Sequence, residues 1–136
     1  MAYTTIPKSS DYFNTKLYTG NSSTQTISGV GFQPDFTWIK NRNGVRNHML
    51  FDSVRGALYR LQSNTTAASA STANTLTSWN SDGFALGSEN DTNGTGATFA
   101  SWNWLANGSG SLNEVGSIDS TVSVNTTSGF SIVSYT

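Results

Sequence analysis

The chain has one imidazole, His48, close in sequence to Asp52 and Ser53, and a nucleophilic hydrolase would need such a trio in mutual contact. On one strand His48 and Asp52 would share a face about 13 Å apart, beyond hydrogen-bond reach. No Gly-x-Ser-x-Gly elbow accompanies them. His48 is therefore read as a polar residue at a strand edge. Glycoside hydrolysis needs two facing carboxylates. The eight acids, Asp11, Asp35, Asp52, Asp82, Glu89, Asp91, Glu114 and Asp119, are instead scattered, mostly in turn contexts. Glu89 to Gly94 alternates oxygen side chains and ends in Gly, as an EF-hand loop begins, but its twelfth position is Ala100. The bidentate acid is missing, so a polar hairpin loop is expected there. The absence of cysteine excludes thiol chemistry, disulfides and Cys-based zinc or iron–sulfur sites. No catalytic residue, metal ligand or cofactor is assigned.

Binding chemistry is better represented. Lys40, Arg42, Arg46, Arg55 and Arg60 fall within one stretch against Asp52 alone, while the whole chain carries a formal charge of −1. Five cations without a recognition motif, in a chain of pI about 5.6, are a small footprint for phosphate, so nucleic acid is not the expected partner. Guanidinium forks meeting carboxylates or carbonyls of a neighbouring protein are the expected use of this stretch. Trp79, Trp102 and Trp104 are candidate rings for stacking on a sugar. Burial decides their role: a lectin needs one such ring exposed beside Asn or Asp, whereas core rings favour scaffolding. Six Asn-x-Ser/Thr sequons occur where this much Ser and Thr gives roughly four by chance, and without a signal-peptide pattern they are not read as glycosylation.

These side chains must be carried by strands. Ser, Thr and Asn make up 54 of 136 residues, with 13 Gly, and these are mediocre to poor helix formers, while aromatic residues at 12% favour strands and turns. One all-β domain spanning residues 1–136 is expected, with long polar loops and at most one short helix. Strand-like stretches are Tyr12 to Thr19, Thr24 to Ser28, Asp35 to Lys40, His48 to Asp52, Asp82 to Leu86, Ala97 to Leu105, Thr121 to Asn125 and Gly129 to Tyr135. Val54, Leu58 and Leu61 have helical spacing, which predicts a short helix or turn before a polar loop. Phe36 and Trp38 alternate with Thr37 and Ile39, and Phe99 opposes Trp102 and Trp104, so both faces carry bulk. Such strands suit the middle of a two-sheet sandwich or a sheet with an assembly partner on its outer face. Phe13, Phe36, Trp38, Phe84, Phe99 and Phe130 are expected to share one core. Phe13 to Thr19 and Phe130 to Thr136 repeat Phe, Tyr and Thr in one register, as neighbouring strands or as the openings of tandem copies. No segment has the apolar length of a membrane span, and the N-terminus lacks a signal-peptide pattern, so no membrane partner is expected.

The segments Asp11 to Asn21, Gly29 to Arg42, Leu50 to Ala57, Ser81 to Gly87, Ala100 to Trp104 and Gly129 to Thr136 together resemble a module found in bacteriophages of marine bacteria. The resemblance implies an antiparallel two-sheet β-sandwich of concanavalin-like or SPRY-like jelly-roll type, repeated in tandem in virion structural proteins such as tail fibres, appendages and head decorations. It implies no catalytic residues and makes 129–136 the first strand of a following copy. The expected role is thus a non-enzymatic virion structural module, made in the host cytoplasm, whose partners are other virion subunits or copies of itself. The alternative is a glycan-binding, lectin-like module for host-surface recognition.

Overall fold

The computed structural model describes Ile6 and residues 8–136. The fold is all-β and antiparallel. In chain order its strands are β1 (Phe13–Thr19), β2 (Gln25–Ile27), β3 (Phe36–Asn41), β4 (Met49–Asp52), β5 (Tyr59–Arg60), β6 (Ala70–Ser71), β7 (Leu76–Asn80), β8 (Gly83–Leu86), β9 (Thr98–Trp104), β10 (Ser111–Asn113), β11 (Ser120–Asn125) and β12 (Phe130–Tyr135). A single helical turn, α1 (Asn90–Asn93), lies between β8 and β9, and a 3₁₀ turn at Ser9–Asp11 precedes β1. Among the described residues no helix is long and apolar enough to cross a membrane.

Two sheets face each other. The larger has the order β1-β9-β3-β4 and the smaller β2-β8-β7. Alternation along β3 sends Thr37 and Ile39 inward, level with Phe51 and Met49 on β4 and with Asn103 and Ser101 on β9. The apolar part of this inner face meets Ile27, Leu76, Phe84 and Leu86 of the smaller sheet, and with Phe99 they form one buried cluster. Tyr18 closes it, stacked on Phe99 at 5.1 Å and donating its hydroxyl hydrogen to the Thr92 carbonyl at 2.7 Å. Burial removes water from the phenol and raises its pKa well above the usual value. The rest of the inner face is polar and satisfied: Asn103 Nδ2 donates to Asn14 O and Ser101 Oγ, and its Oδ1 accepts from Thr37 Oγ1.

Gly83 shows why glycine is needed where β8 begins. Its φ is +149°, and a Cβ there would collide with the Ile27 carbonyl of the adjoining strand. Asp82 in the same turn fastens the smaller sheet to the loop after β2. Its Oδ1 accepts from Gly31 N at 2.6 Å and its Oδ2 from Gly29 N at 2.8 Å. These two amides, Gly31 first, lower the carboxyl pKa, with a smaller pull from Lys16. A folded pKa below the unfolded one means that the contribution is complete above the unfolded value and is lost as pH falls through the folded one. Acidification below about pH 4 should therefore destabilise the protein, and Asp82→Asn should flatten that limb of a stability–pH curve.

A third sheet, β10-β11-β12, lies across one end of the larger sheet's outer face. Asp35, 2% exposed, anchors the connection to it by accepting from Ala106 N at 2.8 Å and Gly108 N at 3.2 Å. Its carboxylate satisfies backbone donors that leave β9 and cannot pair in a sheet.

The expected six-ring core is corrected by this layering. Phe84 and Phe99 are fully buried, but Phe13, Phe36 and Trp38 occupy the opposite face of the larger sheet, where Phe130 of β12 packs on Phe36. Period-2 alternation separates them from Thr37 and Ile39, so they belong to a second apolar layer. Of the short helix or turn expected near Val54 the structure has the turn, which leads to β5, and Gly56 (φ +95°) and Leu58 (φ +73°) leave helical space. The Glu89 to Gly94 hairpin is instead the turn of α1.

Candidate docking surface

The outer face of the larger sheet is built in rows by strand register. Phe13, Trp104, Phe36 and Asp52 sit side by side across β1, β9, β3 and β4, and the next row is Thr15, Trp102, Trp38 and Leu50. Leu61 extends the second row through a two-way backbone bridge with Leu50, each bond 2.9 Å. Leu17, 61% exposed, stands on the same face on β1, the end strand of this sheet among the described residues.

Trp104 is enclosed in the first row. Phe13 lies 4.8 Å from it, Phe130 stacks at 6.0 Å with a 20° tilt, and Phe36 meets it edge-on at 5.3 Å. Trp102 and Trp38 form a half-buried T-shaped pair at 5.9 Å in the second row. The Trp38 indole N–H donates to His48 Nδ1 at 3.0 Å, which makes that nitrogen the acceptor and leaves Nε2 to carry the ring proton. His48 N in turn donates to Asn64 Oδ1. The imidazole positions a tryptophan, and Asp52 is engaged elsewhere.

The third sheet presents a second apolar face. Phe130 and Ile132 turn toward the aromatic rows, while Val122, Val124, Val133 and Tyr135 point away from them. Val133 is 51% exposed and Tyr135 70%, and Ile118 flanks them. Among the described residues β12 is an end strand, and its sequence Phe-Ser-Ile-Val-Ser-Tyr contains no charge and no proline. Proteins usually blunt a free strand edge with such residues.

The five cations predicted as one interface are divided by the fold. Arg55 is taken up internally: its Nε meets Asp52 Oδ2 at 2.6 Å, Nη1 donates to Ser69 Oγ and Nη2 to Leu50 O. Arg46 reaches Asp91 at 3.5 Å, and Lys40 donates to the Arg46 carbonyl at 2.9 Å. Lys40, Arg42 and Arg46 remain together at the end of β3 and in the loop after it, with Arg42 and Arg46 exposed. Arg60 sits apart on β5. Removing the Asp52 carboxylate would strand a guanidinium whose side chain is 17% exposed, so Asp52→Ala should lower stability by about 3 kcal/mol in thermal or urea unfolding.

A single family model spans residues 8–136 and so covers all these features. The chain belongs to the family described as Domain of unknown function (DUF7483). No curated protein and no solved structure matches it. In this DUF7483 domain the three candidate stacking rings have different fates. Trp79 packs against the core with its indole nitrogen buried, Trp104 is enclosed by phenylalanines, and Trp102 alone pairs with a half-buried Trp38 on an open sheet face. Sequence reasoning missed the Trp38–His48 bond, in which His48, two residues before the Leu50 that pairs with Trp38, is a diagonal neighbour on the same face. The repeated Phe-Tyr-Thr segments are not partners: β1 pairs with β9 and β12 with β11, and only Phe13 and Phe130 converge, on Trp104.

Proposed function

We propose that the chain is a non-enzymatic structural module of a bacteriophage virion, a tail-fibre, appendage or capsid-decoration component that docks on neighbouring subunits or on copies of itself. The observation that carries the docking is β12, an uncharged end strand with Val133 and Tyr135 exposed beside it. A partner strand would pair with the edge of β12 that no other strand takes up among the described residues, and would cover its apolar face. The virion setting is supported by the resemblance of the segments quoted above, and the echo of β1 in β12 fits a strand shared with a following tandem copy.

The test is Val133→Lys, which places a charge on the exposed face of this edge. Thermal stability should change by no more than about 0.5 kcal/mol, as for other surface substitutions. Incorporation into particles, or self-association in sedimentation, should be lost. Assembly equal to wild type would overturn the reading.

A second reading is favoured by Trp102 and Trp38, whose half-buried rings on an open sheet face offer stacking area for a host-surface glycan. Under it, glycan-array binding would be present and abolished by Trp102→Ala, with Val133→Lys neutral.

A further inference from the structure

Three Asn-Gly pairs occur, at Asn43-Gly44, Asn93-Gly94 and Asn107-Gly108, and the fold treats them differently. Glycine after asparagine leaves the following amide unhindered, so its nitrogen can attack the side-chain carbonyl carbon. We infer that Asn43 is a built-in site of spontaneous deamidation, protected at the other two positions and open at the first. The Gly44 nitrogen loses its proton and bonds to Asn43 Cγ, the Cγ–Nδ2 bond breaks, and ammonia leaves. The resulting succinimide takes up water at either carbonyl to give aspartate or isoaspartate at position 43.

Asn93 is fully buried, its Nδ2 donates to Asn21 Oδ1, Ser23 O and Gly87 O, and the Gly94 amide is bonded to Asn90 O. Neither attack nor departure is open there. Asn107 is exposed, but the Gly108 amide that would attack is held by the Asp35 carboxylate at 3.2 Å, and the Gly108 carbonyl accepts from Ser53 Oγ at 2.6 Å. The nucleophile is immobilised.

At Asn43 both constraints are absent. Asn43 and Gly44 are exposed, and among the described residues neither the Gly44 amide nor Asn43 Nδ2 donates a hydrogen bond. Asn43 Oδ1 accepts from the Thr98 amide at 3.0 Å, a donor placed to stabilise the negative charge that develops on that oxygen during attack. Asn43 N is held by Asn41 Oδ1 at 3.0 Å, which fixes the bend. The product adds one negative charge between Arg42 and Arg46 and so weakens the exposed basic end of β3.

The experiment is peptide mapping of the full chain aged in mildly alkaline buffer, folded and in urea. Trypsin releases Asn43–Arg46 by itself and leaves 61–136 with both other sites, which fragmentation resolves. In the folded chain a gain of about 1 Da should appear at Asn43 roughly tenfold or more ahead of Asn107, split into two chromatographic species, with Asn93 unchanged. In urea the three rates should converge. Gly44→Ala should suppress the Asn43 product and leave Asn107 as before. Asn107 reacting as fast as Asn43 in the folded chain, or an ordering that persists in urea, would overturn the assignment.

Discussion

Phe99→Ala is expected to destabilise the protein by about 3–5 kcal/mol, a large fraction of what holds a domain of this size folded. Phe99 is fully buried on β9, the strand that pairs with both β1 and β3, and it stacks on Tyr18 at 5.1 Å. Truncation removes apolar contacts from both sheets at once and leaves a cavity that β9, held on either side, cannot collapse to fill. Tyr18 would lose its stacking partner while its hydroxyl stayed tied to Thr92. Trp102→Ala, three residues along β9 on the opposite face, should cost much less because that ring is half-exposed and leaves no closed cavity. Urea unfolding of the two variants checks this, and equal losses would contradict the assignment of the faces.

Asn93→Ala should cost about 3 kcal/mol although it removes only a short polar side chain. That amide accepts from Asn21 N at 3.0 Å and donates to Ser23 O at 2.6 Å and Gly87 O at 2.8 Å, so it ties the loop between β1 and β2 to the β8–β9 connection and braces that connection on itself. Alanine would leave buried backbone groups unpaired at about 1–3 kcal/mol each, offset where water reaches the exposed Asn21. Asn93→Asp should do no better, since a carboxylate cannot donate to the two carbonyls. Thermal unfolding reads the loss, and limited proteolysis should first cut the loop between β1 and β2. Unchanged melting of Asn93→Ala would show that the loops are held by other bonds.

Eight strands were legible because their bulky residues alternate or run continuously, as at Phe36 to Ile39 and Phe99 to Trp104. β5, β6, β7 and β10 were not. They are two to five residues long and mostly Ser, Thr, Ala and Asn, and pairing with neighbours defines them more than their own propensity does. The one-turn helix α1 was equally hidden, since Asn90 to Asn93 has the composition of a loop and is set by the buried amide of Asn93. The shared-core expectation failed because alternation tells which residues share a face but not that a third sheet covers the second face. In the basic stretch the pairing of Arg55 with Asp52 depends on the turn after β4, which directs the guanidinium back along the strand.

Oxidative footprinting of the chain, free and in the assembled particle, tests the docking account most directly. Val133 and Tyr135 are 51% and 70% exposed and Trp102 is half-buried, so all three should react in the free chain. Val133 and Tyr135 should become protected on assembly, while Val45, fully exposed in the loop after β3, serves to report whether the basic end is covered as well. Equal reactivity of Val133 and Tyr135 in both states would contradict the account.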